Sequence, residues 1–144
     1  LDAIDSILSE KDGLLILKPH YNTRVPEAKA WRSVVSIGAD SDVYPLLPYT
    51  DCLITDYSSI LYDYILMPGK SVILYLYDYS DYVRDRDFYF PFEENTIGQK
   101  AYTREQLESI IKQGPQALDE VQRQALADKF WGKERHDISD YLHL

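Results

Sequence analysis

Apolar and polar positions alternate along the chain in blocks that predict a helix and then a strand. Residues 1–10 carry apolar side chains at positions 1, 4, 7 and 8, which is the spacing of one helical face. Residues 14–17 form a continuous apolar run, typical of a strand buried on both faces of a parallel sheet. Gly13 separates the two elements, and Pro19 ends the strand.

The alternation continues to the end of the chain. Three further short apolar runs predict strands at residues 33–37, 51–54 and 71–77. Three amphipathic stretches predict helices at residues 60–66, 103–113 and 118–131. The helix at 103–113 has the clearest start, because Thr103 and Gln106 form a capping box.

Three segments lack a helical or strand period. Residues 21–32 contain Pro26 and read as a loop, and residues 43–49 have room for one or two helical turns between prolines. Residues 78–98 are aromatic, charged and irregular. The alternation of strands and helices, without internal repeats, predicts an α/β fold with an open, mostly parallel sheet.

Length and charge restrict the function classes. A chain of 144 residues with 45% hydrophobic residues suffices for one domain with a real core, spanning residues 1–144. The formal charge of −9 disfavours binding to duplex nucleic acid and direct contact of this domain with an anionic membrane. Cys52 is the only cysteine, so the sequence predicts no disulfide framework and no cysteine-based metal site. That usage suits a cytoplasmic compartment.

The first residue is Leu1 rather than a methionine, and it lies within a predicted helix. We therefore expect the chain to be a fragment of a longer protein. No apolar run approaches the 18 residues of a membrane-spanning helix, and no signal-peptide pattern opens the chain.

The joint between the third strand and the following helix is the strongest candidate site. Thr55, Ser58 and Ser59 lie where a helix presents unpaired backbone N–H groups, and hydroxyls there could bind a phosphate. Helix capping is the plainer explanation of the same residues, since Asp and Ser are favoured caps. Asp56 would compete with an anion for those N–H groups. Local pattern alone leaves both interpretations open.

Other polar residues follow neighbouring strands. His20 comes after the first strand and the segment from Asp40 to Asp42 after the second, so both should meet the Thr55–Ser59 turn at one sheet edge. There His20 could donate a hydrogen bond to a phosphoryl oxygen, although a lone histidine is commonly an ordinary surface residue. Lys18 and Arg24 could do likewise, or be solvated loop charges.

The aspartates have no spacing typical of a metal site, so we expect no metal and no cofactor. Capping and solubility explain most of them. A band of tyrosines near the fourth strand either packs against the core or lines a ligand cleft. Its members are Tyr75, Tyr77, Tyr79, Tyr82 and Tyr89.

Several stretches together resemble the CDP-glycerol glycerophosphotransferase family of teichoic acid synthesis. They are residues 42–47 (DVYPLL), 50–64 (TDCLITDYSSILYDY), 79–89 (YSDYVRDRDFY), 18–20 (KPH) and 130–135 (FWGKER). The resemblance covers residues 14 to 140. It implies a Rossmann-like, doubly wound parallel sheet that forms the carboxyl-terminal half of a two-domain GT-B architecture.

The resemblance also implies roles for individual residues. Thr55, Ser58 and Ser59 would contact the donor pyrophosphate, with Asp42 also in the substrate site. His20 would be the catalytic residue that stabilises charge at the β-phosphorus, and Arg86 would close over the donor. The reaction would be attack of a glycerol hydroxyl on CDP-glycerol with release of CMP, and the acceptor side would belong to a missing amino-terminal domain.

We therefore expect the donor-binding domain of a transferase that acts on a membrane-linked polyol-phosphate acceptor. The complete protein would be cytoplasmic and peripheral on the inner face of the cell membrane. A GT-B glycosyltransferase domain that uses a nucleotide-sugar is one alternative. A non-catalytic domain that recognises an anionic ligand or a partner protein is another.

Overall fold

A computed structural model of the chain describes residues 1–19, 31–79 and 92–132. The α-helices are α1 (Asp2–Glu10), α2 (Ile60–Tyr64), α3 (Arg104–Gln113) and α4 (Glu120–Trp131). The strands are β1 (Leu15–Leu17), β2 (Val34–Ser36), β3 (Cys52–Thr55), β4 (Ser71–Tyr75) and β5 (Gln99–Ala101). Two 3-10 helices cover Tyr44–Tyr49 and Phe92–Asn95.

Every strand pair in the described part of the chain is parallel. β1 pairs with β2, with Leu15 opposite Val34, and β4 lies between β3 and β5. No ladder among the described residues joins the two-stranded and three-stranded groups. The parallel pairing, with helices between the strands, confirms the predicted α/β class.

β4 is the centre of the fold because helices cover both of its faces. Ile73 is fully buried in one apolar cluster with side chains of α1 and α3. Val72 and Leu74 point the other way, into a cluster with α2, α4 and the first 3-10 helix. Since alternate strand residues face opposite sides of a sheet, this arrangement is the doubly wound architecture that the sequence predicted.

Several predicted boundaries differ from the structure. The helix predicted at 60–66 ends at Tyr64, and the strand predicted at 71–77 ends at Tyr75. The helix predicted from residue 118 begins at Glu120, because the Asp119 side chain caps it by accepting from Gln122 N at 2.9 Å. The segment predicted to be irregular contains the second 3-10 helix, and β5 was not predicted.

The start of α3 follows the capping prediction. Thr103 Oγ1 accepts a hydrogen bond from Gln106 N at 3.2 Å. Gln106 Oε1 accepts in return from Tyr102 N at 2.7 Å, one residue earlier than in the usual box. No described helix is long and apolar enough to cross a membrane.

Candidate functional site

The ends of three parallel strands meet at one open depression of about 340 Å³. Its lining consists of one residue that follows β1, four residues that follow β2 and three residues that follow β3. The described residues that line it are Lys18, Ser41, Asp42, Val43, Tyr44, Ser58, Ser59 and Ile60. The structure thus brings together Asp42, Ser58 and Ser59 at the sheet edge where the sequence placed them. Their role towards a ligand stays a prediction.

Lys18 provides the positive charge of this depression. It lies directly after β1, is exposed, and its Nζ donates a hydrogen bond to Ala39 O at 2.9 Å. That bond links the end of β1 to the loop after β2. An ammonium group has three donors, so the group retains capacity for a second acceptor.

Asp42 shapes the loop that follows β2. Its Oδ1 accepts a hydrogen bond from Tyr44 N at 3.0 Å, which fixes the chain where the first 3-10 helix begins. Directly before Asp42, a turn is closed by Ser41 N donating to Gly38 O at 3.0 Å. The Asp42 carboxylate therefore has a structural role at the rim of the depression, and a ligand would meet its remaining acceptor positions.

The two serines after β3 line the depression. Ser59 is the N-cap residue of α2, yet its side chain makes no capping bond. Ser58 Oγ accepts from Ile60 N at only 3.5 Å, the limit of a hydrogen bond. Asp56 is exposed and makes no hydrogen bond to a described residue. Side-chain capping, the other interpretation of this turn, therefore engages these groups weakly.

Thr55 lies behind the serines. It is the last residue of β3, is half-buried, and pairs in register with Leu74 of β4. It is not among the described residues that line the depression. Since α2 has only five residues, its dipole is small, and an anion at this turn would depend more on the hydroxyls and Lys18.

Two predicted site residues, His20 and Arg86, lie outside the described residues. Tyr82 and Tyr89 of the tyrosine band also lie outside them. Within the band, the rings of Tyr75 and Tyr77 are 5.3 Å apart, and Tyr79 packs against Phe92 and Tyr102. None of the three described members lines the depression, which favours the packing interpretation.

The structure adds a pair that the sequence did not reveal. Tyr44 Oη donates a hydrogen bond to Asp63 Oδ2 at 2.7 Å, from the first 3-10 helix to α2. This bond raises the pKa of the Tyr44 phenol, with smaller contributions from partial desolvation and the charges of Asp63 and Asp42. The two residues are 19 positions apart, and no local pattern in one sequence couples them.

Metal binding has no visible basis in the described residues. They contain no group of three histidine, cysteine or acidic side chains close enough to hold a metal ion. Cys52 lies on β3, and burial, followed by the charge of Asp51, raises the pKa of its thiol to about 12. A thiol with that pKa is neither a ready nucleophile nor a ready metal ligand.

Parallel strands, helices on both faces of β4 and a polar depression at the carboxyl ends of β1, β2 and β3 define a doubly wound α/β domain. In domains of this class, ligands bind outside the carboxyl ends of the strands. Residues 4–139 match the family model described as "CDP-Glycerol:Poly(glycerophosphate) glycerophosphotransferase". The chain belongs to this family.

The chain is similar to several proteins of teichoic acid synthesis. A teichoic acid poly(ribitol-phosphate) polymerase of Bacillus spizizenii is 40% identical over 80 residues, covering 56% of this chain and 13% of that protein. A teichoic acid poly(glycerol phosphate) polymerase of Staphylococcus epidermidis is 28% identical and covers 97% of this chain and 21% of that protein. The chain thus spans less than a quarter of either.

A solved structure has the same fold. The structure of the wall teichoic acid polymerase TagF matches 91% of this chain with a TM-score of 0.65 and 28% sequence identity. The match covers 32% of the TagF chain. The similarity confirms the predicted fold class.

Proposed function

We propose that this chain is the donor-binding domain of a polyol-phosphate transferase and that its donor is CDP-glycerol. The observation that carries the proposal is that Lys18, Ser58 and Ser59 line one depression at the carboxyl ends of parallel strands. The family described by the matching model acts with CDP-glycerol, and its members include teichoic acid polymerases and primases.

The chemistry of the depression suits a pyrophosphate. The two serine hydroxyls and the Lys18 ammonium are hydrogen-bond donors, and charge-assisted hydrogen bonds to phosphate oxygens are stronger than neutral ones. Phosphoryl transfer needs positioning and positive or donor groups around the phosphates more than it needs covalent help from the protein. The Asp42 carboxylate at the rim would accept a hydrogen bond from a hydroxyl of the donor.

The reaction that we assign to the complete enzyme is a phosphoryl transfer. A terminal hydroxyl of a membrane-linked polymer acceptor attacks the β-phosphorus of CDP-glycerol, a new P–O bond forms, and the pyrophosphate P–O bond breaks. CMP leaves with the bridging oxygen, and the hydroxyl proton passes to a base. We place the acceptor site and that base in a further domain, amino-terminal to this one.

His20 and Arg86 enter the proposal through the family resemblance alone. His20 would donate a hydrogen bond to the β-phosphate oxygens as charge moves during the transfer, and Arg86 would cover the bound donor. A group of this kind stabilises the transition state more than the ground state, so it affects turnover more than affinity.

A second polyol, ribitol, is also a candidate for the donor. Three of the relatives with 40% identity are named as ribitol-phosphate polymerases. A relative that aligns with 97% of this chain is named as a poly(glycerol phosphate) polymerase. CDP-ribitol is therefore the second candidate donor.

A nucleotide panel tests the proposal. The 144-residue chain would be titrated calorimetrically with CDP-glycerol, CDP-ribitol, CDP, UDP and UDP-glucose. We expect binding of CDP and tighter binding of CDP-glycerol. If CDP-ribitol binds more tightly than CDP-glycerol, CDP-ribitol is the donor. If the chain prefers UDP compounds to CDP compounds, a glycosyltransferase domain is favoured. A chain that binds none of them would overturn the proposed function.

A further inference from the structure

Tyr44 is fixed at two points on the wall of the depression. Its backbone N–H donates to Asp42 Oδ1 at 3.0 Å, and its phenol donates to Asp63 Oδ2 at 2.7 Å. The first bond holds the main chain and the second holds the far end of the ring. A tyrosine has only two side-chain torsions, so both anchors together define the position of the ring.

The ring is held but not covered. Tyr44 keeps 52% of its surface exposed, although it is bonded at both ends. No aromatic ring in the described part of the chain packs against it. An exposed aromatic face can stack on a flat ligand, and a ring whose orientation is already fixed loses little further freedom on binding.

Ser58 and Ser59 line the same depression as Tyr44. Its volume of about 340 Å³ lies within the usual range for small-molecule sites. Resting on the proposed function, we infer that Tyr44 is the stacking surface for the pyrimidine ring of the donor, while Ser58 and Ser59 bind its phosphates. Asp63 is the positioning residue that holds the Tyr44 ring.

The other exposed tyrosines do not offer this combination. Tyr49 belongs to the same 3-10 helix and is 86% exposed, but it does not line the depression. Tyr77 and Tyr102 contact rings of the tyrosine band and do not line the depression. Tyr49 therefore serves as a matched control, with the same residue type on the same helix.

The first experiment separates base recognition from phosphate recognition. The affinities of CDP, CMP and inorganic pyrophosphate would be measured calorimetrically for the wild-type chain, Tyr44→Ala and Tyr49→Ala. Stacking of a base on an aromatic side chain is worth about 5- to 150-fold in affinity. We expect Tyr44→Ala to lower the affinity for CDP and CMP by that factor and to leave the affinity for pyrophosphate unchanged. Tyr49→Ala should leave all three unchanged.

The second experiment tests Asp63 as the residue that holds the ring. Tyr44→Phe keeps the aromatic face and loses the bond to Asp63, and Asp63→Ala loses the same bond from the other side. We expect each variant to lower the affinity for CMP by a smaller factor than Tyr44→Ala does. Because both remove the same bond, the double variant Tyr44→Phe, Asp63→Ala should show no further loss. Asp63→Asn should restore the wild-type affinity, because its amide oxygen still accepts from the phenol.

The outcomes separate this inference from the proposed function. If the wild-type chain binds CDP and pyrophosphate but Tyr44→Ala binds CDP equally well, the stacking role is wrong and the donor site stands. Equal losses of CDP and pyrophosphate affinity in Tyr44→Ala would indicate a damaged depression and also overturn it. A wild-type chain that binds none of the three ligands would overturn both. Circular dichroism spectra would establish that each variant is folded.

Discussion

The guanidinium of Arg123 donates a hydrogen bond of 2.6 Å to the carbonyl oxygen of Ile65, just after α2 ends. Arg123 lies on α4 and is only 6% exposed, and Ile65 is completely buried. Arg123 also donates to Glu120 at 2.7 Å, while Glu120 accepts from Gly69 N at 3.0 Å. Two side chains of α4 therefore satisfy backbone groups in the connection from α2 to β4, the segment that follows the serine turn.

Arg123→Met should lower the free energy of unfolding by about 1–3 kcal/mol, because a buried carbonyl oxygen loses its donor while the aliphatic length is kept. Denaturant unfolding of the variant and the wild type measures this difference. Arg104→Met is the control, since Arg104 makes an ion pair with Glu108 on the exposed surface of α3 and should melt like the wild type. Unchanged stability of Arg123→Met would mean that burial of the guanidinium costs as much as its bonds contribute.

Ser58→Ala and Ser59→Ala should each weaken CDP binding by about 1.5–3 kcal/mol, the range for hydrogen bonds to charged groups. Stability should change little, because Ser59 makes no capping bond and the Ser58 bond to Ile60 N is 3.5 Å long. Titration calorimetry and thermal melting measure the two quantities. Ser109→Ala on the exposed surface of α3 is the matched control. A double variant that binds CDP like the wild type would show that the serines do not contact the phosphates.

The fold followed from the sequence wherever a pattern was long enough to read. The apolar run of β4 and the capping box of α3 identified their elements, with errors of one or two residues at the ends. β5 was missed because it has three residues, Gln99, Lys100 and Ala101, and two of them are polar. Its strand character arises from pairing with β4, which a local pattern does not contain.

The candidate site was predictable only as far as it depended on strand ends. Because the carboxyl ends of parallel strands share one edge, Asp42 and the serine turn could be placed together from the sequence. Tyr44 and Asp63 could not, since a side-chain hydrogen bond between two helices depends on how those helices pack. The weak side-chain capping of α2 was equally hidden, because Ser58 and Ser59 suit both a cap and an anion site.

Binding of CDP should not require a divalent cation. Donors from Ser58, Ser59 and Lys18 line the depression, and the described residues offer no cluster of three metal-ligating side chains. We expect equal dissociation constants in excess EDTA and in excess Mg²⁺. The titration would be repeated with Asp42→Asn to test whether the rim carboxylate takes part. A gain in affinity of about tenfold or more on adding Mg²⁺ would contradict this prediction and indicate that an acidic residue holds the ion.

Cys52 should react with iodoacetamide far more slowly in the folded chain than in the unfolded one. Burial, followed by the charge of Asp51, raises the pKa of its thiol to about 12, whereas an unperturbed thiol has a pKa of about 8.5. Only the thiolate reacts, so a raised pKa lowers the reactive fraction at pH 8 by about a thousandfold.

The pH dependence of this reaction gives the sharper test. In the folded chain the rate should rise about tenfold for each pH unit between 7 and 9, since the thiolate fraction grows at that rate below the pKa. In guanidinium chloride the rate should level off above about pH 8.5. Because Cys52 is the only cysteine, incorporated label reports on this site alone, and Cys52→Ser provides the background. A plateau below pH 9 in the folded chain would show that the thiol of β3 is open to water and has an ordinary pKa.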